Sequence, residues 1–315
     1  MSKYEPLTVF VVGAGASSEA NLPVGSALTD RIAKCLNFYF ERSEFKSGDW
    51  LAFEAMRLAL KEAEFVGKSI GDFVNAARRI ALAMPQAISI DNFLDVHNED
   101  HIVEICGKIG IVREILRAES TSIMQPVDTK NGRYTLSFEG VRQTYYSYLF
   151  QLMTENCRFS DLPARLRRIC FVVFNYDRCL ELYLRYAIQN YYAVSDGQAV
   201  EVLQELRIFH PYGTVGQLPI VTTYGAPTSL GDEPTAQSLL ATAKNIKTFT
   251  ESTNPSTSDI SAIRTAVQVS RRIVFLGFAY HRMNIELLAP TNVKVSSKSD
   301  RWIFGTQHGE YQRVT

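Results

Sequence analysis

Thr8-Val9-Phe10-Val11-Val12-Gly13-Ala14-Gly15-Ala16-Ser17 is an apolar, β-branched run followed directly by a turn of small residues. The run predicts a buried strand, and the glycines at its end let the backbone pass close to a ligand. A helix that begins after such a turn points unpaired N–H groups at phosphate. The stretch therefore predicts the first strand of a parallel sheet and a pyrophosphate site at residues 13–17.

The ordinary dinucleotide-binding fingerprint is incomplete in this chain. Ser18 stands where that fingerprint has its third glycine. No acidic residue ends a second strand about 20 residues further on, where a dehydrogenase holds the ribose. Asp30 instead falls inside a helix predicted from Ser26 to Tyr39. These departures argue against a hydride-transferring dehydrogenase.

Composition limits the remaining classes of protein. The chain has 315 residues, of which 46% are hydrophobic, so it can bury a large core. Its 33 basic and 33 acidic side chains give no net field that would attract nucleic acid or an anionic membrane. The five cysteines are scattered and never spaced as C-x-x-C, which argues against a zinc ribbon or a disulfide framework. Without a signal-like segment or an apolar run of about 18 residues, we expect a cytoplasmic protein.

Three further apolar runs predict strands that join the first one in a parallel sheet, at Ile169 to Phe174, Arg207 to Phe209 and Arg272 to Leu276. A short strand is also predicted at Arg301 to Phe304. Between the first two strands the apolar spacing is helical, with helices predicted at Trp50 to Phe65, Ile70 to Met84, Ile102 to Arg117 and Phe138 to Met153. The pattern predicts an α/β fold with a Rossmann-like parallel sheet, helices on both faces and a large helical insertion. We expect a single domain over 1–315, with its core at 1–36 and 165–315 and the insertion at 37–164.

Polar residues follow each predicted strand. Asn175 and Asp177 come after the second, His210 after the third and Gly277 after the fourth. The carboxyl ends of parallel strands lie at one edge of the sheet, where ligands of such sheets collect. We therefore expect these residues to converge with the glycine turn.

The ordered motifs resemble those of one family. They read GAGAS at 13–17, LPVG at 22–25, FNYD at 174–177, HPYG at 210–213 and FLGFAYHRMN at 275–284, with SIDNFL at 89–94. In this order they resemble the sirtuin-like NAD-consuming domains of bacterial antiphage defence systems, over most of the chain. The paired cysteines and the Asp-Phe-Arg of the protein-deacylating sirtuins are absent, so the resemblance does not extend to the channel that binds acyl-lysine in those enzymes.

The resemblance implies a hydrolase that converts NAD to nicotinamide and ADP-ribose and depletes the cell of NAD on infection. NAD would be the substrate, and neither zinc nor another metal is expected. Asn175 and His210 would be the catalytic pair: the amide would hold a water or a ribose hydroxyl, and the imidazole would act as general base. The cofactor-binding residues would be Gly13, Ala14, Gly15, Ala16, Ser17, Pro23, Asp91, Asp177, Gly277, Phe278 and Asn284. The family also implies a homo-oligomer controlled by assembly or by a partner, such as a HerA-type ATPase, an Argonaute or a phage-sensing protein.

Structural roles for the same residues stay open. Ser17 and Asp91 could cap helices, Asp91 for a helix at Phe93 to Val96, and Asn175 and Asp177 could cap a helix at Cys179 to Gln189. His210 could be a turn histidine that bonds the backbone. Two other functions also stay open: a catalytically silent module that binds NAD or ADP-ribose, and a protein deacylase or ADP-ribosyltransferase.

Overall fold

The computed structural model describes residues 8–42, 44–128, 134–218, 230–289 and 301–306. The strands in this part of the chain are β1 (Thr8–Val12), β2 (Tyr39–Glu41), β3 (Glu44–Ser47), β4 (Val127–Asp128), β5 (Tyr134–Thr135), β6 (Ile169–Val173), β7 (Arg207–Phe209), β8 (Arg272–Leu276) and β9 (Trp302–Gly305). The five predicted strands are therefore confirmed as β1, β6, β7, β8 and β9. Phe174 lies just past the end of β6, although its N–H still donates to the Val12 carbonyl.

The helices connect these strands and form the layers around them. They are α1 (Ala14–Ser17), α2 (Gly25–Leu36), α3 (Trp50–Ala59), α4 (Ile70–Ala83), α5 (Ile90–Val96), α6 (His101–Ser120), α7 (Tyr145–Thr154), α8 (Leu162–Leu166), α9 (Cys179–Tyr192), α10 (Asp196–Leu203), α11 (Ala236–Ala243), α12 (Phe249–Thr253), α13 (Ile260–Val269) and α14 (Arg282–Leu288). Short 3-10 turns lie at Ser18–Ala20, Ala63–Phe65, Met84–Gln86 and Phe159–Asp161.

The main sheet has five parallel strands in the order β7-β6-β1-β8-β9. Counted along the chain within this sheet, the order is 3-2-1-4-5, the order of a Rossmann-like sheet. The predicted α/β fold is thereby confirmed. The strand order reverses between β1 and β8, and at such a switch point the loops after the two strands diverge and leave a crevice. Gly13 follows β1 and Gly277 follows β8, so both glycines lie at the switch point.

The chain divides into two compact units. The sheet unit contains Met1–Asn21, Ser122–Pro211 and Ser252–Thr315, and the helical unit contains Leu22–Thr121 and Tyr212–Glu251. The helical unit takes in α2 and α11, while α7 and α8 belong to the sheet unit. The single domain over 1–315, with its insertion at 37–164, stays a prediction.

The sheet unit is held together at its centre by apolar strands, of which β6 is the most deeply buried among the described strands. In β6 the four residues after Ile169 are buried, and the Phe171 ring stacks on Phe10 of β1 at 5.1 Å between centroids. Leu180 and Leu184 on α9 are buried as well. Burial of this kind contributes about 25 cal/mol for each Å² of apolar surface removed from water.

The helical unit is organised around α6, which is buried on nearly all sides. Its buried charges are paired: Lys108 binds Glu104 and Glu251, and Arg113 binds Asp49. Pairing offsets the large desolvation cost that isolated charges would have at these positions.

The predicted helices differ from the observed ones mainly at their ends. Helix α2 ends at Leu36, not Tyr39, because Tyr39 begins a β2–β3 hairpin. The helix predicted from Phe138 begins only at Tyr145, after the turn residue Thr144. Near Asp91, the cap of α5 is Ser89, whose Oγ accepts from the Asn92 N–H, so Asp91 is not the cap. All five cysteines are buried and free of disulfides. Across the described residues, none of the helices combines the length and the apolar character needed to cross a membrane.

Candidate active site

The glycine turn lies against the backbone that follows β8. The Gly13 N–H donates to the Leu276 carbonyl and the Gly15 N–H donates to the Gly277 carbonyl, both over 2.9 Å. A Cβ atom on Gly13 would lie 2.6 Å from the Gly277 oxygen, which is too close for any side chain. The Ala16 N–H likewise donates to the Gly13 carbonyl at 3.0 Å. Three of the N–H groups predicted to meet phosphate are therefore engaged within the protein, and α1 is only four residues long.

Asn175 joins the second strand to this turn. Its side chain is 7% exposed, and its Nδ2 donates to the Gly13 carbonyl at 3.1 Å and to Ser17 Oγ at 2.5 Å. A carbonyl oxygen can only accept, so the bond to Gly13 fixes which end of the carboxamide is the nitrogen. The Asn175 Oδ1 is buried and accepts no hydrogen bond from the described residues. It is an acceptor that a ligand hydroxyl or a water could satisfy.

Ser17 and Asp177 complete a polar network at the same edge of the sheet. Ser17 Oγ donates to Asp177 Oδ2 at 2.7 Å, and Asp177 Oδ1 accepts from the Cys179 N–H at 3.1 Å. Burial raises the pKa of Asp177, although the hydroxyl and N–H donors partly oppose that shift. Ser17 makes no helix-capping bond, whereas Asp177 does satisfy the first N–H of α9.

His210 lies between two acceptors. Its Nδ1 is 3.2 Å from the backbone carbonyl oxygen of Asn175, and its Nε2 is 2.6 Å from Glu181 Oε1 in the first turn of α9. Burial alone would lower the pKa of His210, but the Glu181 carboxylate outweighs it and the net pKa is raised. Burial likewise acts to raise the pKa of Glu181, yet the imidazolium lowers it overall. The contact between the two groups thus favours an ion pair.

Glu181 is the functional candidate that the sequence prediction missed. The available signal was an acidic residue in the first turn of the helix that follows FNYD. That signal is weak, because acidic residues are common in first helical turns, where they favour the helix dipole. Only the pairing of β6 with β7 brings residue 210 beside it.

Four other predicted residues take no part in these hydrogen bonds. Phe278 is buried in the sheet unit, 5.2 Å from Phe174 by ring centroids, and its Cα lies 2.8 Å from the position that a Cβ on Gly13 would take, so it contacts the glycine turn. Asn284 is half-buried in α14. Pro23, just before α2, and Asp91, in the first turn of α5, belong to the helical unit. The predicted residues that meet at one edge of the sheet thus include Asn175, His210, Asp177, Gly277, Phe278 and the glycine turn at 13–17.

Metal ligands do not cluster in the part of the chain that the structure describes: no three His, Cys, Asp or Glu side chains are arranged to hold an ion. Comparison of the chain with models of protein families, with curated proteins and with solved structures finds no match.

Proposed function

We propose that the protein hydrolyses NAD to nicotinamide and ADP-ribose and serves as an NAD-depleting effector of antiphage defence. One observation carries the proposal: the His210 ring bonds the backbone carbonyl of Asn175 through Nδ1, so that both residues lie at the carboxyl edge of a Rossmann-like sheet. They lie after β6 and β7, while the glycine turn that Asn175 contacts follows β1 at the switch point. Dinucleotides bind Rossmann-like sheets at that position.

The reaction requires positioning and electrostatic stabilisation more than strong acid catalysis. The bond between ribose C1′ and the nicotinamide nitrogen breaks, and its electron pair neutralises the departing ring. The oxygen of a water then bonds to C1′, and the water releases a proton. An amide oxygen suits this chemistry because it orients a water or a ribose hydroxyl without itself attacking. Asn175 Oδ1, with no donor among the described residues, is such an oxygen.

His210 supplies the base in this proposal. A neutral imidazole takes the proton that the attacking water, or a ribose hydroxyl, loses. In the structure both ring nitrogens are engaged, which fits a resting form that assembly or a partner converts to an active one. A HerA-type ATPase, an Argonaute or a phage-sensing protein would be such a partner.

Release of nicotinamide from NAD by the purified protein, alone and with candidate partners, tests the proposal. We expect His210→Ala to lower the rate by about 10²- to 10⁴-fold and Asn175→Ala by about 10²- to 10³-fold. His101→Ala and Asn190→Ala are matched controls, because both side chains are exposed and lie away from this network. Equal rates for an active wild type and the two site variants would contradict the proposal.

A second candidate is a catalytically silent module that binds NAD or ADP-ribose. It is favoured by the two hydrogen bonds of His210, which leave neither ring nitrogen available as a base. Under this alternative NAD raises the melting temperature, because it binds only the folded protein, but no nicotinamide appears under any condition.

A further inference from the structure

The charge state of His210 follows from its two neighbours. The backbone carbonyl oxygen of Asn175 and the Glu181 carboxylate oxygen carry no hydrogen, and each lies within hydrogen-bond distance of one ring nitrogen. A neutral imidazole has only one N–H and could satisfy only one of them. The imidazolium satisfies both. This geometry therefore favours the imidazolium, which has no lone pair to offer a substrate.

We propose that Glu181 is a positioning residue that holds His210 as an imidazolium in the resting protein, and that their ion pair opens before His210 acts as a base; this rests on the NAD hydrolysis proposed above. Opening the Nε2–Oε1 contact removes the carboxylate that stabilises the cation and exposes Nε2. The ring then releases its Nε2 proton to solvent water and keeps the bond from Nδ1 to the Asn175 backbone carbonyl. Deprotonation at Nε2 gives a neutral base whose orientation is fixed by the hydrogen bond at Nδ1.

The contact between Glu181 and His210 uses one carboxylate oxygen, unlike a bidentate ion pair, which uses both. Glu205 in the same unit binds Arg167 with both carboxylate oxygens, at 2.6 and 2.7 Å. Glu181 binds His210 through Oε1 alone, while Oε2 is buried and accepts no hydrogen bond from the described residues. A buried carboxylate oxygen without a donor has a free-energy cost. The Glu181 pair is therefore less completely satisfied than the Glu205 pair and is easier to open.

Other charged and titratable groups also face the pair. Asp177 adds negative charge near His210 and helps to raise its pKa. Arg178 adds positive charge near Glu181 and helps to lower the pKa of that carboxyl group. The phenols of Tyr145 and Tyr146 on α7 lie near Asp177. Burial raises the pKa of both phenols, so they stay uncharged at neutral pH. Asp177 and Glu181 therefore remain the groups that favour the imidazolium.

NMR titration of the His210 ring in the full chain tests the resting state without any substrate. The chain has five histidines, and His210→Gln identifies the signal by its loss. We expect His210 in the wild type to titrate above the ordinary imidazole value of about 6.5. Glu181→Gln should move the midpoint to lower pH, whereas Glu205→Gln, which also weakens a partly buried ion pair, should not. An unshifted midpoint in folded Glu181→Gln overturns the proposal. If that variant does not fold, a wild-type midpoint at or below the ordinary value overturns it.

The pH dependence of NAD hydrolysis tests the second part of the proposal, that His210 acts as a base once the pair has opened. Removal of the carboxylate should shift the acid limb of the rate profile to lower pH, so that the ratio of the Glu181→Gln rate to the wild-type rate is at least about threefold higher at pH 6 than at pH 8. A loss by the same factor at every pH would mean that Glu181 is only structural. If the wild type releases no nicotinamide, the proposed function fails while the NMR result still stands, so the two failures are distinguishable.

Discussion

The Ser17 hydroxyl donates a hydrogen bond to the Asp177 carboxylate over 2.7 Å, although the two residues are 160 positions apart. The same hydroxyl oxygen accepts from Asn175 Nδ2 at 2.5 Å. One small side chain thus joins the glycine turn after β1 to the polar segment after β6. The orientation of the Asn175 amide, and with it the direction of its Oδ1, depends on this link.

Replacement of Ser17 by Ala should destabilise the protein. The change leaves Asp177 Oδ2 and the Asn175 amide each short of one buried partner, which costs about 1–3 kcal/mol. The measurement is the free energy of unfolding from urea titration. The neighbouring Ser18 is exposed and bonds only the Gly15 carbonyl, so Ser18→Ala is the control and should change little. Equal losses for the two variants would contradict the role given to Ser17.

Replacement of Gly277 by Ala should be far more damaging than an ordinary glycine change. Gly277 has φ +53°, and a Cβ there would lie 1.9 Å from the Ala16 nitrogen, a backbone atom that cannot rotate away. We expect a loss of about 3 kcal/mol or more in the free energy of unfolding. Gly197 in α10 has no atom within 4 Å of the position that a methyl group would take, so Gly197→Ala should be neutral or stabilising by up to about 1 kcal/mol. Two well-folded variants of similar stability would refute the close approach.

The stability given by the Glu181–His210 pair should depend on pH in a bell shape. The native pKa of Glu181 is lowered, so its contribution is present above the ordinary carboxyl value and is lost as pH falls through the lowered one. The native pKa of His210 is raised, so its contribution is present below the ordinary imidazole value and is lost as pH rises through the raised one. The difference in unfolding free energy between wild type and Glu181→Gln should therefore peak between the two native values, at about 1.5–3 kcal/mol. A difference that does not vary with pH would contradict the ion pair.

In the helical unit, Asp49→Ala should cause a large loss of stability. Asp49 is 5% exposed, accepts from Arg113 Nε at 3.1 Å, pairs with Arg117, and caps α3 by accepting from the Ala52 N–H. Its removal leaves the buried Arg113 Nε without an acceptor and takes away the cap of α3, although Arg113 keeps Glu233 and Arg117 keeps Glu114. Together these losses cost about 2–4 kcal/mol. Glu44→Ala removes only an exposed ion pair with Lys46 and should have little effect on urea unfolding. A comparable effect of the two changes would show that the buried cluster contributes little.

The cysteine thiols should resist modification in the folded protein. All five are buried, and burial raises the pKa of Cys170 to about 12, so that little reactive thiolate forms at neutral pH. We expect a chromogenic disulfide reagent to react slowly with the native chain and with all five thiols after denaturation. Fast reaction of any thiol in the native state would identify a region that opens locally.

The strands could be predicted because each is a short apolar run with a polar or glycine-containing end, a pattern that needs no partner to be recognised. The helix ends were harder: Leu36 ends α2 because the next residues form a hairpin, and competition of this kind depends on contacts elsewhere in the chain. Glu181 was missed for a related reason. Its carboxylate gains its significance from His210, 29 residues away, and nothing in the local sequence indicates that contact.

The sequence by itself determined the sheet, because short apolar, β-branched runs specify strands locally, and it determined that Asn175, His210 and Gly277 would follow strand ends. Tertiary structure alone decided what those residues contact. Gly277 packs its backbone on the glycine turn, Ser17 donates to Asp177 where a helix cap was the alternative, and His210 lies between two acceptors that favour its charged form. Distances of a few ångströms between strand ends set these outcomes, because hydrogen bonds and charge pairing weaken steeply with distance. The order of residues along the chain does not directly encode those distances.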